Sequence, residues 1–173
     1  MQRRLKGVYW GRFNPPHRGH LEMIRRFRAL CSLTVAIGSA EHRDEKANPF
    51  SGAERKAMME AYLRESGIRD VRVVTLADGP SIAWAVDHLI RRCHPDCVFL
   101  STERSRLPVL VQRRVRVVRF RRTGRVSSTR IRDSIAAGKD DWIKLTGNSV
   151  VCWVNSHNGI DRVRRTYRAD RKP

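Results

Sequence analysis

Gly7-Val8-Tyr9-Trp10-Gly11-Arg12-Phe13-Asn14-Pro15-Pro16-His17-Arg18-Gly19-His20 is the stretch that decides the fold of this 173-residue chain. Gly7–Gly11 is a short β-rich apolar run. Beyond it, Leu21, Ile24, Phe27, Ala29 and Leu30 recur at helical spacing, which predicts a helix over Gly19–Cys31. The same alternation repeats downstream. Further strands are expected at Leu33–Gly38, Val71–Leu76, Cys97–Ser101 and Val115–Phe120, and further helices at Ser51–Ser66 and Ser81–Arg92. Ser51 and Glu54 form a capping-box pattern just after Asn48-Pro49. Strands separated by helices imply an α/β fold, a Rossmann-like doubly wound parallel sheet of about five strands. After the last strand only helical patterns follow, at Thr129–Ala137, Asp140–Leu145, Ser149–Ser156 and Ile160–Tyr167. A single domain is expected, with residues 1–128 as the sheet-bearing core and 129–173 as a C-terminal helical extension.

Lys and Arg number 36 against 17 Asp and Glu, a formal net charge of +19, while 40% hydrophobic residues supply material for a core. The charge is concentrated. Residues 1–20 carry +5, residues 113–132 carry nine Arg and no acid, and residues 162–172 carry +5; the rest of the chain nearly cancels. This excludes a uniformly supercharged surface and calls for a polyanionic partner: nucleic acid, an anionic membrane or phosphorylated small molecules. The membrane fits least, because no apolar run approaches the roughly 18 residues that span a bilayer and no signal-peptide core follows Met1–Lys6. A cytoplasmic protein is expected, its four Cys reduced. Cys93-His94-x-x-Cys97 could be half of a zinc site, but no second pair at ligand spacing appears, so no protein-held metal is expected.

Ligands of open parallel sheets bind beyond the carboxyl ends of the strands, where helix N-termini present unpaired N–H groups. His17 and His20 stand there, one turn apart, with Gly19 between them allowing a ligand close to the backbone and Gly11 a tight exit from the strand. They suit a phosphate chain; equally, such histidines can simply cap a helix. The second candidate follows the fifth strand. Ser127, Ser128 and Thr129 are good N-cap residues that can cradle an anion, and Arg132 falls where its fork of donors reaches back over the same anion. Taken alone, this too is compatible with an ordinary cap and a solvated basic face.

Together the two segments resemble the nucleotidyltransferase superfamily with a His-x-Gly-His motif. Within it the chain is similar to the archaeal-type nicotinamide mononucleotide adenylyltransferases, through Gly11–Leu21, Gly38-Ser39-Ala40, Pro49–Arg55, Trp84, Ser127–Arg132, Asp141-Trp142 and Asn158–Arg162. The resemblance implies transfer of AMP from ATP to nicotinamide mononucleotide, giving NAD and pyrophosphate. It implies that Gly11, Arg12, Phe13, His17, Gly19, His20, Ser127, Ser128, Thr129 and Arg132 bind ATP, with Arg12, His17, His20 and Arg132 catalytic. It also implies Mg²⁺ held mainly by ATP phosphates, and assembly into homo-oligomers. Trp84 would stack on the pyridinium ring or face the core, and Phe50 would meet a ring or the core. Where the family carries Arg-Asp before Pro-Phe, this chain has Lys46-Ala47-Asn48, so either Lys46 replaces that Arg at the acceptor or the contact is lost. Nicotinate mononucleotide and pantetheine phosphate are alternative acceptors. A basic nucleic-acid-binding module is the competing class of function, and weak non-specific nucleic-acid binding is expected from the charge alone.

Overall fold

The structure, a computed structural model, describes residues 3–101, 105–121, 124 and 126–170. Arg122, Arg125, Arg171 and Lys172, counted in the basic clusters, lie outside the described residues.

Five strands, β1 (Lys6–Gly11), β2 (Ser32–Ile37), β3 (Arg72–Thr75), β4 (Cys97–Leu100) and β5 (Arg116–Arg119), form one parallel sheet in the order β3-β2-β1-β4-β5. Helices α1 (Arg18–Leu30), α2 (Gly52–Glu65), α3 (Ile82–Cys93) and α4 (Leu107–Gln112) connect them. The chain then runs through α5 (Ser128–Ala136), a 3₁₀ turn at Asp141–Leu145, α6 (Asn148–Ser156) and α7 (Gly159–Ala169). The sheet is apolar on both faces because both are covered. Tyr9, Val35, Ile37 and Phe99 pack with α1 and α2 and with Ile131, Val150, Val154 and Val163 of the later helices. Val8, Trp10, Ala36 and Val98 face the opposite way, against Val86 and Leu89 of α3 and Leu110 of α4.

The expected strands and long helices are all present. Helix α4 is the element the sequence pattern does not announce: it is six residues long, too short for an amphipathic repeat, and Pro108 near its start supplies the helical φ in advance. The capping box at α2 forms as expected, Glu54 N donating to Ser51 Oγ at 3.3 Å and Ser51 N to Glu54 Oε2 at 2.8 Å. Between α6 and α7 the left-handed residue is Asn158, φ 53°; Gly159 is required for close approach, since a Cβ there would lie 2.8 Å from the Val154 carbonyl oxygen.

The order β3-β2-β1-β4-β5 places the reversal of winding between β1 and β4. Loops leaving their carboxyl ends diverge there and leave a crevice.

Candidate active site

A cavity of about 270 Å³ occupies that crevice, lined by Tyr9 through Asn14, His20, Ala47, Leu100, Ser101, Ser127, Ser128, Thr129 and Arg132. Residues from the two sequence-predicted motifs, more than a hundred positions apart, therefore line one cavity.

The loop between β1 and α1 is fixed by packing. Phe13 takes a left-handed φ of 51° and turns its ring back, edge-on to Tyr9 at 5.1 Å and to His20 at 4.7 Å. That ring is why position 11 is glycine, since a Cβ there would lie 3.1 Å from Phe13 Cζ. Arg12 stays exposed beside the cavity. His17 is the N-cap residue of α1, and its backbone N–H donates to His20 Nδ1 at 3.2 Å. The His20 Nδ1 is thereby turned to the start of α1. The His17 ring stacks on that of His20 at 3.6 Å between centroids, 1% exposed and behind the cavity lining. Gly19 lets this happen, a Cβ there standing 3.2 Å from the His17 ring.

The second wall is the start of α5. Ser127 caps the helix, accepting from Arg130 N at 3.1 Å. Ser128 Oγ donates to the Pro15 carbonyl at 2.9 Å, tying α5 to the first loop. Arg132 is 6% exposed; its Nη1 donates to the Asn14 carbonyl at 2.7 Å and its Nη2 to Thr129 Oγ1 at 3.3 Å. Burial pushes its pKa down from the ordinary guanidinium value. Its Nε and the Oδ1 of Asn14 are buried without hydrogen-bond partners. A buried donor and a buried acceptor, both on cavity-lining residues, are what a bound polar molecule would satisfy.

Two lining or supporting residues carry no role in the sequence reading. Asn14 lies inside the first motif, and its signal is only its position between strand and Pro-Pro. Arg55 is 0% exposed and donates to the carbonyls of Arg12 (2.9 Å), Gly38 (2.8 Å), Ser39 (2.6 Å) and Ser51 (3.1 Å). Burial, then the nearby Arg12, lowers its pKa to about 10. It fastens the loops after β1 and β2 to the start of α2. An Arg in a helical run reads as surface, so its signal is only that it ends the matched Pro49–Arg55 motif.

The three residues expected at the acceptor lie apart from the cavity lining. Phe50 is fully buried, edge-on to Trp153 at 5.8 Å, so of its two expected places it takes the core. Lys46 Nζ donates to Asp170 Oδ2 at 2.6 Å and lies over the Tyr167 ring, so its charge is engaged by α7, and Ala47 is the residue of that segment at the cavity. Trp84, on the first turn of α3, is 36% exposed, edge-on to His88, and covers Gly79. The core placement that was the alternative for Trp84 is therefore not adopted.

Among the described residues, no carboxylate lines the cavity. Cys93 and Cys97 are buried free thiols, both raised in pKa by burial. Glu41, His42 and Asp78 bring potential ligand atoms within 4.8 Å of one another, but Asp78 already accepts from Ser39 and His42 already pairs with Glu45. No helix among the described residues is long and apolar enough to cross a membrane.

Residues 8–134, which span β1 to the first turns of α5, match the model of the family described as cytidylyltransferase-like. The chain belongs to the cytidylyltransferase-like family. Among curated members, the nicotinamide-nucleotide adenylyltransferase of Pyrobaculum neutrophilum is 29% identical over 97% of both chains. That of Pyrococcus horikoshii is 30% identical over 92% of this chain and 88% of its own. The archaeal resemblance read from the motifs is thus borne out. Of solved cytidylyltransferase-like folds, the bifunctional NMN adenylyltransferase/ADP ribose pyrophosphatase of Francisella tularensis, complexed with AMP and a manganese ion, superposes with a TM-score of 0.74 at 17% identity. It covers 96% of this chain, which spans about half of that longer protein (53%). The nicotinic acid mononucleotide adenylyltransferase of Plasmodium falciparum, complexed with NaAD, gives 0.63 at 12% identity, over 90% of this chain and 96% of that one.

Proposed function

We propose that this protein is a nicotinamide-nucleotide adenylyltransferase, moving AMP from ATP to nicotinamide mononucleotide to give NAD and pyrophosphate. The observation that carries the reading is the convergence of the first loop and the start of α5 on one cavity at the β1/β4 crevice. Relatives bearing that name at near full length support it.

The reaction joins two anions. An acceptor phosphate oxygen attacks the α-phosphorus of ATP; the bond from that phosphorus to the bridging oxygen of pyrophosphate breaks, and the electron pair leaves on pyrophosphate. The acceptor phosphate is largely ionised near neutral pH, so no side chain need remove a proton. The protein's task is alignment and charge. Arg12, exposed at the cavity, and Arg132 with its unpartnered Nε supply cationic donors for the phosphates. His20, which lines the cavity, supplies an imidazole toward the phosphates, with His17 stacked on its ring. Ser127, Ser128 and Thr129, with the N–H groups of the first turn of α5, cradle the outer phosphates, and Gly11, Phe13 and Gly19 shape the backbone against them. Asn14 Oδ1 would accept from a nucleotide hydroxyl or a metal-bound water.

The lining suits a divalent cation held mainly by phosphate oxygens, Mg²⁺ in this reading, since the described residues that line the cavity offer it neutral oxygens and no carboxylate. When bound, the ion would draw charge off the leaving pyrophosphate. Trp84 is proposed to close over the nicotinamide. We place the enzyme in the cytoplasm as one domain, residues 1–128 forming the sheet-bearing core and 129–173 a helical portion whose Thr129 and Arg132 complete the cavity, within a homo-oligomer.

Incubating the protein with ATP, Mg²⁺ and nicotinamide mononucleotide, with product read through an NAD-dependent dehydrogenase, should give NAD. A parallel panel of nicotinate mononucleotide and pantetheine phosphate, scored by pyrophosphate release, ranks the acceptors. No NAD above background would remove the assignment, and pyrophosphate release with another acceptor alone would change it.

A further inference from the structure

The basic segment 113–132 does not stay together in the fold. Its second half reaches the cavity, but Arg113, Arg114 and Arg116 lie at the start of β5, the opposite end of a parallel sheet. The strands begin there at Lys6, Ser32, Arg72, Cys97 and Arg116, within two residues of one another in register: Lys6 pairs with Ser32, Cys97 with Gly7 and Arg116, and Arg72 with Thr34. Helices α1 to α4 each run into the next strand, so they end there as well, bringing Arg92 and Arg114 to it. Six exposed cations, Arg4, Lys6, Arg72, Arg92, Arg114 and Arg116, carry no ion pair among the described residues. The carboxylates on this edge, Asp70 and Asp96, are held by Arg28 and Arg3.

A cleft of about 310 Å³ opens on the same edge, lined by Lys6, Ser32, Asp70, Arg72, Arg92 and His94 among others. Basic residues at helix C-termini complement the macrodipole, which accounts for Arg92 and Arg114. It does not account for Arg4, Lys6, Arg72 and Arg116, which precede or begin strands. Along β1, three residues separate Lys6 from Tyr9, the first residue of the strand to line the cavity, roughly 10 Å at about 3.3 Å per residue. That exceeds the Debye length of about 8 Å at physiological salt, so these cations serve no phosphate in the cavity.

We infer that the strand-start edge is a docking surface for the sugar-phosphate backbone of nucleic acid, read by charge and not by base sequence, with a phosphate seated in the Lys6–Arg72–Arg92 cleft. Lys6, Arg72 and Arg116 recur on alternate strands of the edge, β1, β3 and β5, and this repeated charge matches a regularly charged polymer. Leu5 and Leu30, exposed beside them, are what a lipid surface would engage, and the vesicle arm of the test reads that.

The test is fluorescence anisotropy with a labelled 20-base-pair DNA duplex across a salt series, using the whole protein. The triple variant Arg72→Gln/Arg92→Gln/Arg116→Gln should bind roughly tenfold or more weakly at 0.1 M salt. Its slope of log K against log salt should be shallower by about 2.7, three phosphate contacts at about 0.9 each. Arg43→Gln/Arg165→Gln/Arg168→Gln, which removes the same charge elsewhere, should match the parent protein. Saturating ATP should leave duplex binding unchanged, and both variants should keep the parent's melting temperature. If the triple variant does not fold, Arg92→Gln and Arg116→Gln singly should each take about 0.9 off the slope. Equal losses in the two triple variants, displacement of DNA by ATP, or binding to phosphatidylserine vesicles without duplex binding would each overturn the proposal.

Discussion

Arg132 Nη1 donates to the carbonyl of Asn14 at 2.7 Å, so the arginine that faces the cavity is also the brace of the loop opposite it. A lysine's three N–H donors radiate from one nitrogen, so it lacks the spread fork with which Arg132 holds that carbonyl through Nη1 and keeps Nε on the cavity side. Arg132→Lys and Arg132→Ala should therefore both lower kcat/KM, the alanine variant by about 10²–10³-fold, the usual cost of one oriented donor at a developing charge. The coupled NAD assay reads this directly. A lysine variant with parent activity would count against the dual role.

Arg55 should behave as a stability residue first. Replacing it by Met takes a donor from four carbonyls; Ser51 keeps the Arg55 backbone N–H and Ser39 that of His42, while Arg12 and Gly38 lose theirs. At about 1–3 kcal/mol for each one left buried and unsatisfied, the loss should reach about 2 kcal/mol or more. Urea unfolding should show a lower midpoint with an unchanged slope. A shift of under 1 kcal/mol would mean that water replaces the guanidinium.

Trp84 stands free of the core, and its proposed work is on the acceptor. Trp84→Ala should raise the KM for nicotinamide mononucleotide roughly tenfold, within the range of a cation–π contact, and leave the KM for ATP alone. Equal effects on both substrates would point to a general disturbance of α3.

The Lys46 ammonium is engaged by Asp170, so Lys46→Ala should change kcat/KM less than threefold. A large rise in acceptor KM would instead show that the lysine leaves α7 to meet the substrate.

The loop carrying His42 and Glu45 should be pH-sensitive. Their hydrogen bond raises the imidazole's pKa above its ordinary 6.5 and lowers the carboxyl's below its ordinary 4.5. The histidine's share of the stabilisation is complete below 6.5 and fades as pH rises through its raised value; the glutamate's is complete above 4.5 and fades as pH falls through its lowered one. Between 4.5 and 6.5 the loop is best held. Limited proteolysis across residues 39–48 should be slower at pH 6 than at pH 8.5, and His42→Gln should erase the difference.

Much of this was legible in the sequence because the signals were local. The strand ends, the capping box at Ser51, and the two phosphate motifs are each written in a few consecutive residues whose geometry follows from the chain itself. What stayed hidden depends on tertiary contact. Arg55 looks like a solvent-facing helical arginine until the loops after β1 and β2 close over it. Phe50 could have met a ring, but the core formed with α6 claimed it. Lys46 matched a phosphate contact by position, whereas the chain brought Asp170 within reach from 124 residues away. The splitting of the 113–132 cluster between two ends of the sheet is likewise invisible until the helix before β5 is placed.

Helix α7 holds segment 44–54 by charge: Arg162 to Glu54, Arg165 to Asp44, and Asp170 to Lys46. The last two pairs are largely exposed, so dissolved ions compete with them far more than with the sheet's apolar contacts. Ionic strength thus becomes a selective solvent for one side of the molecule. In brine the rim beside the nucleotide cavity comes loose from the last helix while the interior keeps its order, and the protein's tightness at that rim is set by the salt around it.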